Sequence, residues 1–223
     1  VDGNFSTAFG NYDHREMRGA LNVPISDSFG LRFSGASLQH DAYTQLLDNY
    51  AGLGPHYPAI TDELADFDQA VDYGQDGPEM ADQKSWRVSS LWQPIDSFSA
   101  LTSIEEYTDQ GTGLSQLDPT LMAKGVRAVV SDSPSFLDLR NRTLRSQLDF
   151  RASNYSVRYL YGRSKMTREQ IVDADNGRSS SFEQQRTHSS NFQFSSHELQ
   201  LMNNDSERLR WLMGTFYSRE KNK

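Results

Sequence analysis

Residues 13–34 read DHREMRGALNVPISDSFGLRFS, and this stretch decides how the rest of the chain is interpreted. Side chains in a β-strand alternate between two faces with a period of two residues. Before the turn, one alternating set is mainly apolar and contains Met17 and Leu21, whereas the other set is mainly polar. The segment from Pro24 to Ser28 is rich in turn formers, because Pro fixes φ while Asp and Ser bond back to the backbone. The alternation then resumes, so the stretch predicts two antiparallel strands joined by a tight turn.

The same alternation recurs along the chain and predicts nine strands, whereas helical spacing fits these segments less well. In the eighth strand Phe194 and Leu199 fall on opposite sets although both are apolar, so we expect a β-bulge near Ser195. The nine predicted strands cover approximately residues 3–9, 13–25, 29–39, 84–92, 98–108, 142–152, 157–167, 187–201 and 208–220.

The lengths of the connections between these strands carry further information. Tight turns follow the second, fourth, sixth and eighth strands, whereas the long segments 40–83, 109–141 and 168–186 follow the third, fifth and seventh. An up-and-down sheet places all tight turns at one end, and outer-membrane barrels have this asymmetry. Structureless loops longer than about 15 residues are unusual in compact soluble domains. We therefore predict an all-β, antiparallel up-and-down transmembrane β-barrel domain over residues 1–223.

The two alternating sets predict two different faces of the sheet. If the apolar set contacts lipid, the charged set lines a wet interior. In a soluble sandwich the same charges would lie on the core face, where burial of a charge is costly. The alternative is a one-sided soluble sheet whose charged face contacts water. The charged set contains Arg18, Arg32, Arg87, Arg145, Asp149, Arg151 and Arg158. Aromatic residues that suit an interfacial girdle are Trp86, Trp92, Trp211, Tyr159, Tyr161 and Tyr217.

Composition excludes several classes of protein. The formal net charge is -8 and the pI is about 5.1, which argues against nucleic-acid binding. Hydrophobic residues make up 36% of the chain and the mean hydropathy is -0.70, with no run long enough for a membrane helix. There is no cysteine, hence no disulfide or zinc-thiolate site. The chain begins without a signal peptide, as expected for a mature protein or a segment trimmed at both ends.

Five short motifs, taken in order, resemble the barrel of the TonB-dependent outer-membrane receptors. They are similar to the first strand and loop of that barrel, its second strand and first periplasmic turn, its third strand, and two later strands. Gln200 stands where that family usually has Arg, and Ala42 stands where it usually has Gly. The motifs are residues 5–13 (FSTAFGNYD), 18–27 (RGALNVPISD), 31–35 (LRFSG), 196–201 (SHELQL) and 211–217 (WLMGTFY).

This resemblance implies a 22-stranded barrel closed around an N-terminal plug, in the outer membrane of a Gram-negative bacterium. It implies import of a scarce ligand, most often a ferric siderophore, with energy from the TonB-ExbB-ExbD complex, which contacts the N-terminal part. Heme, cobalamin, oligosaccharides and other metal chelates stay open as ligands. Nine strands cannot close such a barrel, and unpaired sheet edges are not tolerated in lipid. We therefore expect the chain to be a fragment from the front of the barrel, without the plug or the C-terminal strands.

One long connection stands out as a candidate ligand-binding segment. Residues 41–83 hold ten acidic side chains and no Lys or Arg. Such a loop either selects cationic or metal-bearing ligands, with divalent ions among them, or is simply a solvated acidic loop. Aromatic and histidine side chains here could contact a ligand or pack the loop against its neighbours. The candidate ligand-binding residues are His40, Tyr43, Tyr50, His56, Tyr57 and Tyr73.

The sequence holds no motif that indicates catalysis. It lacks a nucleophile elbow and a glycine-rich phosphate loop. We therefore expect no enzymatic activity, no cofactor and no resident metal site. Two rival interpretations remain beside the receptor: an outer-membrane porin that does not use TonB, and a secreted soluble β-protein that binds glycans.

Overall fold

A computed structural model describes residues 1–47, 77–113, 127–130, 136–173, 185–204 and 209–223, and this part of the chain is all-β. It contains eleven strands, nine of which were predicted. The strands are β1 (Asp2–Gly10), β2 (His14–Ser26), β3 (Phe29–His40), β4 (Gln45–Leu47), β5 (Ala81–Ile95), β6 (Phe98–Asp109), β7 (Ala128–Val130), β8 (Phe136–Arg151), β9 (Tyr155–Asp173), β10 (Gln185–Asn203) and β11 (Leu212–Asn222).

Nine strands form one antiparallel up-and-down sheet in the order β1-β2-β3-β5-β6-β8-β9-β10-β11. Every strand pairs with its neighbour along the chain, apart from the two short strands β4 and β7. The tight turns lie at one end of the sheet, which we call the turn end. The connections after β3, β6 and β9 lie at the opposite end, which we call the loop end. The fold class and the segregation of connection lengths predicted from sequence are therefore confirmed.

The two strands that sequence did not predict form a small parallel sheet. β4 lies in the connection between β3 and β5, β7 lies in the connection between β6 and β8, and Gln45 pairs with Ala128. Three residues are too few for an alternation to be detected. This pairing joins the two longest connections to each other at the loop end.

The strands near the loop end are longer than predicted. β8 begins at Phe136, and β9 continues to Asp173, so that Phe136 pairs with Ile171. The prediction placed these boundaries at residues 142 and 167. Beyond those positions both faces carry charged side chains, such as Arg168 and Glu169. The apolar side chains there, such as Leu137 and Leu139, fall on the face opposite to Leu144, so the alternation seen in the middle of the strand does not continue although the backbone ladder does.

The β-bulge predicted near Ser195 is wrong. Pairing of β10 runs without interruption through this residue on both sides, to Arg163 of β9 and Arg219 of β11. Register shifts occur instead beside the turns, at Pro24 in β2 and next to Pro94 in β5. Proline lacks the N–H that a ladder requires, so it is tolerated where the pairing is interrupted. In β10 the apolar side chains change face without a bulge.

The last strand begins later than predicted, at Leu212 rather than at residue 208. The Asn203 side chain accounts for the difference. Its amide donates to the Leu209 carbonyl at 2.7 Å, and its oxygen accepts from the Trp211 N–H at 2.8 Å. Together with the bond from the Asn203 N–H to the Trp211 carbonyl at 3.3 Å, the Asn203 side chain holds the segment before β11 as part of the turn.

The cross-strand register assigns each side chain to one of two faces. Leu21, Phe33, Val88, Ile104 and Leu144 form one directly paired row, which defines the apolar face. All seven residues of the predicted charged set lie on the opposite face, the charged face, as predicted. Most of its charges are paired. The ion pairs are Arg18–Glu16, Arg87–Glu105, Arg145–Glu105 and Arg158–Asp149. Five of the six predicted girdle aromatics lie on the apolar face, and Trp211 precedes β11.

The sheet has almost no hydrophobic core of its own. Among the described residues, only Pro78, Ala81 and Val129 are buried apolar side chains. Large apolar side chains on the apolar face are exposed instead, among them Phe5, Trp92 and Ile104. An uncovered apolar surface of this extent marks contact with another apolar medium or partner. No helix able to cross a bilayer occurs in the part of the chain that the structure describes.

Candidate functional site at the loop end

A recess of about 480 Å³ opens on the charged face at the loop end. Its lining comes from five different segments, because the ends of β3, β5, β6, β8 and β9 converge there. The strands supply polar side chains to its floor, while the starts of the long connections form its rim. The lining includes His40, Tyr43, Glu79, Gln83, Asp109, Gly113, Arg168 and Gln170. We call this cavity the loop-end recess.

One wall of the recess is aromatic. The rings of His40 and Tyr43 stack with centroids 4.1 Å apart and planes 15° apart. Tyr12 meets Tyr43 edge-on at 5.0 Å, and His14 lies parallel to His40 at 6.1 Å. Tyr12 and Tyr43 come from two different connections, whereas His14 begins β2 and His40 ends β3. Offset and edge-to-face pairs each add about 0.5–1.5 kcal/mol beyond the burial of area, so the wall is held by its own contacts.

The turn between β1 and β2 is shaped to present Tyr12 to this wall. Tyr12 and Asp13 have positive φ angles of 61° and 50°, and the His14 N–H donates to the Asn11 carbonyl at 3.3 Å. Two consecutive positive φ values are typical of a type I′ turn, which favours Asn, Asp and Gly. A tyrosine there is strained. The Tyr12 carbonyl accepts from the Asp41 N–H at 2.8 Å, and this tertiary contact stabilises the strained turn.

Asp109 organises the floor of the recess. One carboxylate oxygen accepts from the Gln83 amide at 2.9 Å and from the Tyr107 hydroxyl at 3.2 Å. The other oxygen accepts from the Gly111 N–H at 3.2 Å. The carboxylate thereby fixes both the neighbouring strand and the start of the second long connection. Asp109 is thus a positioning residue with little capacity left for a ligand.

Glu79 links the two longest connections at the rim. Its carboxylate accepts from the Thr44 hydroxyl at 2.7 Å and pairs with the Arg127 guanidinium. The Thr44 side chain is almost fully buried, with 1% exposure. Burial raises the pKa of Glu79, but the hydrogen bonds from Arg127 and Thr44 and the nearby positive charges outweigh it and hold the pKa below 4.5. The ionised carboxylate therefore stabilises the junction between the two loops.

This lowered pKa predicts a dependence of the rim on pH. Because the pKa of Glu79 is lower in the folded protein than in the unfolded chain, its ionised form contributes stability above about pH 4.5. That contribution is lost as the pH falls through the lower, folded value. We expect hydrogen exchange at the amides of Thr44 and Val129, corrected for intrinsic rates, to accelerate on acidification. Glu79→Gln should exchange faster already at pH 7 and show no such step; a step of equal size in that variant contradicts the assignment.

Arg168 supplies an unused donor beside the recess. One of its terminal nitrogens donates to the Gln170 amide oxygen, but its Nε is buried and has no hydrogen-bond partner among the described residues. An unpaired buried N–H costs free energy until an acceptor reaches it. Together with the stacked rings, this donor suits a ligand that has aromatic groups and anionic oxygens. Among the described residues, no group of three His, Cys, Asp or Glu side chains is arranged to hold a metal ion.

The structure brings together two of the six predicted ligand-binding residues, His40 and Tyr43. The other four, Tyr50, His56, Tyr57 and Tyr73, lie outside the described residues. The sequence did not indicate five residues that lie at the recess or its rim. They are Tyr12, His14, Glu79, Arg127 and Arg168. Tyr12 and His14 had a detectable signal, because in an up-and-down sheet the connection between the first two strands lies at the same end as the long segments.

Two of the ten acidic residues in the predicted acidic loop have basic partners in the structure. Glu79 pairs with Arg127 from the other long connection, and Asp82 lies 3.1 Å from Lys84 of its own strand. Seven of the others lie outside the described residues. The ends of the loop are therefore less negative than the sequence alone indicates.

The geometry defines the class of fold: a section of an up-and-down β-barrel with one apolar face, one charged face and a ligand-sized recess at the loop end. Among solved structures, the chain is similar to a mutant of the ferric enterobactin receptor of Pseudomonas aeruginosa, with a TM-score of 0.61 and 11% sequence identity. The similarity covers 99% of this chain and 30% of that one, so the chain spans less than a third of the receptor's length. At this identity the likeness establishes the fold. No protein-family model matches the chain, and no curated sequence matches it.

Proposed function

We propose that this chain is part of the barrel of an outer-membrane receptor that imports a scarce ligand, a ferric siderophore, with energy from the TonB-ExbB-ExbD complex. The observation that carries the proposal is the similarity of 99% of the chain to a ferric enterobactin receptor. The motif resemblance noted above supports the same family. On this proposal, the plug and the remaining strands belong to a longer parent protein in the outer membrane of a Gram-negative bacterium.

The distribution of apolar side chains supports placement in a membrane. In a soluble protein of this size, a sheet buries one face in a core, yet here the side chains in the row from Leu21 to Leu144 are exposed or half-buried. Lipid is a medium that covers such a face on every strand. The charged face, with its paired Arg and Glu side chains, then lines the wet interior of the barrel.

The loop-end recess supports a role in ligand capture. It lies on the interior face at the end that carries the long connections, which in such barrels is the external end. Stacked rings of His40 and Tyr43 and the free Nε of Arg168 fit a chelate with aromatic groups and anionic oxygens. The three groups lie around one cavity and so act on a single ligand.

Uptake by the parent protein tests the transport step. The parent gene is expressed in a host without ferric siderophore receptors of its own, and uptake of radioactive iron is measured from a panel of siderophores. We expect accumulation that disappears when TonB is deleted. Uptake independent of TonB would instead support the porin, and recovery of the protein in the soluble fraction would support the glycan-binding β-protein.

Substitutions in the aromatic wall test the recess itself. We expect His40→Ala and Tyr43→Ala together to weaken siderophore binding to the parent receptor by about tenfold, from the loss of two ring contacts of about 0.5–1.5 kcal/mol each. His40→Phe with Tyr43→Phe keeps both rings and should retain most of the affinity. Tyr155→Ala, at the turn end, is the control. Equal affinity for all three variants in equilibrium binding would remove the recess from the ligand pathway.

A further inference from the structure

The apolar face changes character as it approaches the loop end on β9, β10 and β11. From the turn end toward the loop end, the side chains in directly paired rows change from aliphatic to aromatic and then to basic. The rows are Val157–Leu201–Met213, Tyr159–Leu199–Thr215, Tyr161–His197–Tyr217, Arg163–Ser195–Arg219 and Lys165–Gln193–Lys221. This order matches the profile of a bilayer leaflet, in which acyl chains give way to an interface and then to charged headgroups.

The four basic side chains of the last two rows form a rectangle. Arg163 and Lys165 lie on β9, and Arg219 and Lys221 lie on β11, with β10 between them. The two columns are two strand spacings apart, or about 10 Å, and the side chains within a column are two residues apart, or about 7 Å. Each column is thus sized to contact one phosphate group, and the rectangle to contact two.

These cations have no ion-pair partner among the residues that the structure describes. All four side chains are exposed, and none takes part in the ion pairs found among the described residues. On the same face, Glu106 is already paired with Arg142. The next carboxylate along β9 is that of Glu169, four residues or about 13 Å beyond Lys165. Within the part of the chain that the structure describes, the rectangle therefore carries four positive charges without an ion-pair partner.

A shallow depression lies within this basic area. Its volume is about 270 Å³, and it is lined by three of the four cations and by the rings directly below them. The Tyr159 hydroxyl and His197 Nδ1 are 2.7 Å apart, and the Tyr161 and His197 rings lie 5.0 Å apart. These contacts hold the aromatic row in place beneath the charges.

We propose that this surface binds an acidic lipid whose headgroup carries two phosphates, with one phosphate at each basic column and the acyl chains lying on the aliphatic rows. The inference rests on the proposed function, since it requires the apolar face to contact lipid. Charge complementarity selects the headgroup, and the adjacent aliphatic rows select a lipid rather than a free anion. Binding at this site fixes an anionic lipid beside the ligand pathway without entering it.

The test uses the full-length parent protein in detergent micelles and measures binding of bisphosphorylated and monophosphorylated lipid A by native mass spectrometry. We expect tighter binding of the bisphosphorylated lipid. The variants Arg163→Gln/Lys165→Gln and Arg219→Gln/Lys221→Gln, one for each column, should each bind it about twentyfold more weakly, at about fivefold per charge removed. Each should also lose the preference for two phosphates.

The control pair is Arg32→Gln/Arg151→Gln, which removes the same charge from the opposite face and should leave lipid binding unchanged. Heat-modifiable electrophoretic mobility confirms that every variant is folded. Unchanged lipid binding in both column variants overturns the inference, as does equal competition by inorganic pyrophosphate, which would indicate a free anion. Uptake independent of TonB in the same strains would overturn the proposed function while leaving this site intact, so the two failures are distinguishable.

Discussion

Val88→Arg is expected to lower the free energy of unfolding of the parent barrel by about 2–4 kcal/mol, the cost of a cation at the middle of a lipid-facing surface. Val88 lies on the apolar face between Phe33 and Ile104. A guanidinium there would lie between two apolar side chains, and the Glu106 carboxylate diagonally across the ladder is already paired with Arg142. Chemical denaturation in lipid vesicles measures the effect.

Ser85→Arg is the matched control, because it adds the same charge to the same strand on the charged face. Ser85 pairs with Ala36 and Tyr107, and Glu105 lies diagonally across the ladder. The new cation there has water and a carboxylate nearby, so we expect a change below about 0.5 kcal/mol. If the two variants are equally stable, the apolar face does not contact lipid, and the membrane assignment is wrong.

Gly111→Ala is expected to destabilise the loop-end recess by about 2 kcal/mol, as steric overpacking of a close backbone contact does. A Cβ at this buried position would lie well inside contact distance of the Met80 carbonyl oxygen. That oxygen accepts from the Thr112 N–H at 3.2 Å, and the Gly111 carbonyl accepts from the Leu137 N–H at 3.0 Å. Since backbone cannot swing aside as a flexible side chain does, both hydrogen bonds should weaken.

Hydrogen exchange at the Thr112 and Leu137 amides measures this change directly, and siderophore affinity should fall by about tenfold or more as the recess loses its order. Gly30→Ala serves as the control. A Cβ at that position of β3 would meet nothing closer than the Val23 carbonyl oxygen at 3.8 Å. If hydrogen exchange at these amides is as slow in Gly111→Ala as in the unsubstituted protein, the backbone contact relaxes without loss of stability.

Sequence reasoning failed in recognisable places. The ends of β8 and β9 were missed because their apolar side chains do not continue the apolar face: Leu137 and Leu139 lie on the face opposite to Leu144, and Ile171 and Val172 lie on opposite faces. A bulge was predicted in β10 because it would place Phe194 and Leu199 on the same face of the sheet. In the structure, the apolar side chains of β10 lie on the apolar face near the turn end and on the charged face near the loop end. The loop-end part of the strand lies beyond the aliphatic rows of the apolar face.

The sequence indicated where the candidate site lies but not which residues come together to form it. The aromatic and histidine content of the first long connection pointed to His40 and Tyr43. The contributions of Tyr12, Arg127 and Arg168 come from segments that are distant in sequence. Only the pairing of strands brings those segments to one recess, so no local pattern could have connected them.

By itself, the sequence determined which strands form, their order and which face is apolar, because period-two alternation and turn residues act over a few neighbouring positions. The tertiary structure alone decided what these strands bring together. It joined Glu79 to Thr44 and Arg127 across two loops, and it placed the basic columns of β9 and β11 on either side of β10. These contacts depend on register between distant segments, and register is fixed by the whole ladder rather than by any single strand.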